Sequence, residues 1–193
     1  ASFLKSKTKI EKVNITFDRI KVEELKKIIL KTKPSSLNSL IVNKINKGLF
    51  TADLELYLNE NLTLENIIAR GKVEKMDANI INKLDLIDSN FEFFADKTDV
   101  LIKNLNANLD GILIEEGDIR IEKNQFISLK SNFLSKIKVN KQNFKKYSKF
   151  LNKFEGIDKE NISLSARLNH NFRLIFDKTY KLSDYSYESK GSV

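Results

Sequence analysis

Residues 162–176, ISLSARLNHNFRLIF, decide the fold. The even positions are Ile162, Leu164, Ala166, Leu168, His170, Phe172, Leu174 and Phe176. The odd positions are Ser163, Ser165, Arg167, Asn169, Asn171 and Arg173, with Ile175 as the one slip. Successive side chains of a strand point to opposite faces, so this is a strand with one apolar face. Unbroken, it would reach roughly 50 Å at ~3.3 Å per residue. Ordinary strands run about 5–6 residues. A turn at Asn169 or Asn171 would make it a hairpin instead.

The same period runs outward from there. In residues 127–139, Ile127, Leu129, Phe133, Ile137 and Val139 share a parity with Ser131 and Ser135, while Phe126 and Leu134 fall on the other face. Shorter alternating runs place Leu54, Leu56 and Leu58 together, then Ile67, Ala69, Gly71 and Val73, then Phe91, Phe93 and Ala95, then Leu105, Ala107 and Leu109. Val13, Ile15 and Phe17 do the same near the start. GILIEEGDIRIEK predicts a hairpin in which Ile112 and Ile114 face Ile119 and Ile121 across a Glu115-Glu116-Gly117 turn.

Two stretches leave the period. Within 22–48, VEELKKIILK reads as a short helix before Pro34. A second helix, capped by Ser35 or Ser36, carries the stripe Leu37, Leu40, Ile41 and Ile45 and stops at Gly48. Within 141–155, Phe144, Tyr147, Leu151 and Phe154 form a helical stripe. Lys145, Lys146, Lys149 and Lys153 lie mostly away from it, and Gly156 follows. The expected fold is mainly β with about three short helices against ten or so strands. There is no alternation of strand and helix that would build a parallel sheet. We read 1–193 as one piece of a longer protein, because it starts at Ala1 and ends at Val193 straight after a strand-like run.

The composition narrows the chemistry. With no cysteine, disulfides and thiolate metal sites are excluded, and a single histidine cannot assemble a histidine zinc site. His170 is in phase with Leu168 and Phe172, which reads as a histidine within an apolar strand face. Carboxylates at Asp85, Asp88, Asp96, Asp99, Glu115, Glu116 and Asp118 fall on predicted turns or polar faces, and Asp96-Lys97-Thr98-Asp99 reads as a turn between strands. The glycines are isolated, without a phosphate-cradling pattern. No catalytic residue, metal site or cofactor is expected, and the chain reads as non-enzymatic.

The net charge of +8 is almost all lysine, with arginine only at positions 19, 70, 120, 167 and 173. Lysine, asparagine and isoleucine are abundant, as an AT-rich genome would encode. The charges interleave with Asp and Glu along the chain, which reads as a solvated surface. The Lys-rich helix 141–153 is the one nucleic-acid candidate. It lacks arginine to read base edges, and its aromatics form a packing stripe, so no nucleic-acid partner is expected.

That leaves the apolar faces. One greasy face of a long sheet must be covered by a second sheet, by helices or by a ligand. The periodicity leaves two outcomes open: a dry sandwich, as in a structural or adhesive protein, or an open groove.

The stretch VNKINKGLFTADLELYLN, followed by GKVEKMDANIINKLDLIDSNFEFFADKTDVLIKNLNANLDGILIEEGDIRI, resembles the large periplasmic proteins of the AsmA-like superfamily, nearest to the YhdP type. Asn43, Ile45 and Gly48 match the end of the family's short helix, and Gly71 and Val73 its next strand. Phe93 or Phe94 with Asp96 and Asp99 match a turn, while Gly111, Ile114, Gly117, Ile119 and Ile121 match a hairpin. KFLNKFEGIDKENISLSARLNHNF resembles a later passage. The likeness spans roughly residues 35–175, and the tryptophans and prolines often seen near the family's first helix and first turn are missing.

The resemblance implies a long, twisted antiparallel sheet forming a repeating, taco-shaped β-groove. It implies a periplasmic location in a Gram-negative bacterium, an inner-membrane anchor outside these residues, and phospholipid acyl chains as cargo on the way to the outer membrane. One copy would act along the groove. The lining is expected at Leu54, Leu56, Leu58, Phe91, Phe93, Ile112, Ile114, Ile119, Ile121, Ile127, Leu129, Leu164, Leu168, Phe172 and Leu174.

Overall fold

The computed structural model describes residues 11–31, 36–81, 84–144, 162–177 and 181–192. Most of the helix expected over 141–155 lies outside them. The described chain is a single antiparallel meander of nine strands, each paired with its neighbours in sequence. The strands are β1 (Lys12–Lys21), β2 (Ile45–Leu58), β3 (Leu64–Ile81), β4 (Leu84–Ala95), β5 (Asp99–Leu109), β6 (Ile112–Lys123), β7 (Ile127–Asn140), β8 (Ser163–Phe176) and β9 (Leu182–Ser192). Among the described residues β1 and β9 are the edges, so the sheet is open rather than closed into a barrel. Two short helices, α1 (Val22–Ile29) and α2 (Ser36–Lys44), sit between β1 and β2.

The deciding stretch is one unbroken strand. β7 and β8 stay in register from Ile127 opposite Phe176 to Asn140 opposite Ser163, so neither Asn169 nor Asn171 turns the chain. Two other expectations are corrected. GILIEEGDIRIEK is not a hairpin but the single strand β6, whose register shifts between Glu115 and Asp118. Glu116 adopts φ 51° there, which makes a β-bulge. The turn lies earlier, where Asp110 and Gly111 both have positive φ between the paired Leu109 and Ile112. That is the Asp-Gly two-residue hairpin, in which glycine takes a conformation that costs other residues energy. The second correction concerns α2, which ends at Lys44 rather than Gly48. Ile45 pairs with Ala78 and is buried with Val73 and Met76, so tertiary pairing overrides the helical stripe.

The β6 bulge belongs to a row. Lys75, Asp88, Asn104 and Glu116, on the four consecutive strands β3 to β6, all have φ between 51° and 55°, and each falls at a register shift. Two residues on from each stands Asp77, Asn90, Asn106 or Asp118. Three of these side chains serve the neighbouring bulges, while Asn106 Nδ2 donates to the Asn104 carbonyl of its own strand. Asn90 Oδ1 accepts the Lys75 N–H at 3.0 Å, Asp77 Oδ1 accepts the Asp88 N–H at 2.9 Å, and Asp118 Oδ1 accepts the Asn104 N–H at 3.4 Å. Burial works to raise the Asp77 carboxyl pKa, but the Asp88 N–H and the Lys47 ammonium hold it below its usual value. Each bulge bends its strand and tightens the local twist, so a row of four curls the sheet around its apolar face. β7 and β8 have no such bulge.

Below the row of bulges the curl is closed by helix. Val22, Ile45, Met76, Ala78, Leu86, Leu105, Ala107 and Ile114 form one buried cluster with Val73, which reaches it from the other side of the Lys75 bulge, and Ile41 of α2 packs against it. Val22, Leu25 and Ile29 put the inward stripe of α1 at i, i+3 and i+7. Glu23 and Glu24 stand in its first turn and Lys26 and Lys27 in its last, matching the helix dipole.

Candidate functional site

Above the row of bulges, the apolar face is a stack of cross-strand rungs. Residues directly opposite in an antiparallel pair share a face. One rung runs Ile15, Leu54, Ala69, Ala95, Val100, Ile121, Leu129, Leu174 and Tyr185, across all nine strands. The next runs Phe17, Ala52, Gly71, Phe93, Ile102, Ile119, Ser131, Phe172 and Tyr187. Neither contains a charged residue. Gly71 lets β2 and β3 approach, since a Cβ there would lie 2.0 Å from the Thr51 carbonyl oxygen.

All fifteen residues expected to line a groove lie on this one face, in phase with these rungs or their continuations. Leu56 pairs with Val13 and Ile67, Leu58 with Leu64, and Phe91 with Val73. Ile112 pairs with Leu109, Ile114 with Ala107 and Ser135, and Ile127 with Phe176. Leu164 pairs with Val139, and Leu168 with Ser135 and Gly191. Their burial distinguishes them. Ile114 is 7% exposed and belongs to the closed core, whereas the other fourteen are half-buried. A second packed sheet would have buried them, and the described residues form one sheet only.

The sequence reading did not single out the polar cluster on this face. Ser135 Oγ lies 2.7 Å from His170 Nε2, and His170 Nδ1 lies 2.9 Å from the Tyr187 hydroxyl, which links β7, β8 and β9. Ser135 is 2% exposed and His170 is 9%. The ring of His170 packs against Phe133 at 4.8 Å between centroids, and Phe172 stacks on Tyr187 at 4.5 Å. Burial pushes the imidazole pKa below its usual 6.5, favouring the neutral ring. With both ring nitrogens engaged and the serine hydroxyl enclosed, the cluster acts as a tie between strands. The in-phase parity of Ser135 and His170 with the apolar residues of their strands was the sequence signal for it. The carboxylates expected at turns and on polar faces hold up in detail at Asp96, whose Oδ1 accepts the backbone N–H groups of Asp99 and Thr98, both at 2.8 Å. Those bonds keep its pKa below the usual aspartate value.

Among the described residues no group of His, Cys, Asp and Glu is placed to hold a metal ion. No helix among them is long and apolar enough to cross a membrane. No family model, curated protein or solved structure matches the chain.

Proposed function

We propose that this chain is a segment of a periplasmic, bridge-like lipid transporter of the AsmA-like type, whose apolar face shields phospholipid acyl chains between inner and outer membrane. One observation carries the reading: the rungs from β1 to β9 form a continuous apolar surface that no second sheet among the described residues covers. An acyl chain laid across it removes that surface from water, at about 0.8 kcal/mol per methylene. Headgroups stay at the open side, in water. The two rungs carry no charged residue, so movement along them meets no charge, and Ser131 and the Ser135–His170–Tyr187 cluster are the polar groups in its way. Selection is then by shape and chain, not by headgroup.

The test uses the purified chain and a phospholipid carrying an environment-sensitive fluorophore on one acyl chain. Binding should brighten the probe. Ile121→Asp with Leu174→Asp, which puts two charges on one rung, should abolish the gain while the far-ultraviolet β signal is kept. If the wild-type chain gives no gain, or the charged rung binds as well, the reading is overturned.

A further inference from the structure

The polar face divides its charge by strand, which corrects the expectation of evenly interleaved charges. β4 carries Asp85, Asp88 and Glu92 with no cation, and β6 carries Glu115, Glu116, Asp118 and Glu122 against Arg120 and Lys123. β7 and β8 reverse this. They carry Lys130, Lys136, Lys138, Arg167 and Arg173, and no carboxylate at all. All five lie at polar-face positions, because their direct partners across the pair are one another or serine: Lys130 faces Arg173, Lys136 faces Arg167, and Lys138 faces Ser165. Arg120 lies opposite Lys130 on the other side, which lines up three cations on adjacent strands.

Like charges directly opposite one another destabilise a sheet. The chain neutralises this elsewhere, as in Lys103–Asp118 at 2.6 Å, Arg120–Glu122 at 2.9 Å and Lys136–Glu115 at 2.7 Å. Lys130, Lys138, Arg167 and Arg173 make no ion pair among the described residues, and all four are exposed. Shallow clefts flank the row, one lined by Arg120, Lys130 and Arg173 with Asp118 and Glu188 at its sides, the other by Phe126, Lys130 and Arg173 with Glu122. Phe126, at the β6–β7 turn, is 55% exposed.

We propose that the polar face of β7–β8 docks on an anionic lipid surface. Three features favour a bilayer over other polyanions. The ribbon is free of bulges, so its cations follow one another in unbroken register along a strip that no bulge bends away from a surface. An exposed aromatic stands beside the cations at one end, as in proteins that lie on the headgroup region. The strip itself carries serine, asparagine, Leu134 and Ile175 between the cations but no aromatic ring, so it offers nucleic-acid bases nothing to stack on. The attraction is electrostatic and is screened by salt.

The experiment is vesicle flotation with the chain, using phosphatidylcholine vesicles with and without phosphatidylglycerol, at low and high salt. Binding is expected to the anionic vesicles at low salt, to disappear at high salt, and to be weak on pure phosphatidylcholine. The variant Lys130→Gln, Lys138→Gln, Arg167→Gln, Arg173→Gln should bind on the order of a thousandfold more weakly. It removes like-charge contacts, so its melting temperature should be no lower than wild type. Its uptake of the fluorescent phospholipid should be unchanged, which separates this surface from the apolar face. Absence of flotation with anionic vesicles at low salt, equal flotation of the variant, or displacement by duplex DNA or an acidic polypeptide at lower charge concentration than vesicles overturns the proposal.

Discussion

The two halves of the sheet, on either side of the row of bulges, use the same alternation to opposite ends. Below it, Met76, Leu86, Leu105 and Ile114 are buried in one cluster with Val22 of α1, and Ile41 of α2 packs against it. Above it, residues of the same types on the same face, such as Leu54, Ile121 and Leu174, stay partly exposed. Pattern alone does not make a core: it makes an apolar face, and a neighbouring element must then cover that face. The helices between β1 and β2 cover one half, and the bulges curl the other without filling it.

Backbone substitution should have the largest effect, and it falls in the open half. Gly71→Ala places a Cβ against the Thr51 carbonyl and should cost ~3 kcal/mol in chemical unfolding, because two strands must separate. A cost near zero would mean the open half tolerates loose pairing. Side-chain truncation should show the reverse ranking. Leu86→Ala, in the closed half, should cost ~2–3 kcal/mol by the same measurement, and Leu174→Ala, in the open half, at most ~1 kcal/mol. Equal costs would break the comparison. Asn90→Ala removes the acceptor for the Lys75 N–H and should cost ~1 kcal/mol, with faster amide exchange at Lys75 if the bulges are held as described.

The smallest expected effect is the pH response of His170. Its folded pKa lies below the unfolded value of 6.5, so the unfolded chain takes up the proton first as pH falls. The contribution to stability is complete above about pH 6.5 and is lost as pH falls from there toward the folded pKa. Melting temperature should therefore drop between about pH 7 and 5.5 in the wild type, and less so in His170→Gln.

Much of this was legible in the residues. The parity of 162–176 fixed one strand and one face, and the same parity placed all fifteen lining residues on that face. What parity could not supply was which half of the face would be covered. That depends on where α1 and α2 pack, which is a long-range fact. The Asp110-Gly111 turn was written in the sequence, but Glu115-Glu116-Gly117 competed with it as a turn signal. The bulges were hidden because Lys75, Asp88, Asn104 and Glu116 are not glycine and no single residue type marks them. Their shared trace is an Asp or Asn two positions on, visible once the register is known. The charge division was equally present, but whole-chain counting averaged it away.

The central claim is that the open half meets acyl chains while the closed half is dry. The most direct measurement places a photo-crosslinking amino acid at Phe172 in one variant and at Leu86 in another, expresses both in cells, and analyses the adducts by mass spectrometry. The account predicts phospholipid adducts at Phe172 and none at Leu86. No lipid at Phe172 in a folded protein, or equal capture at both positions, would contradict it.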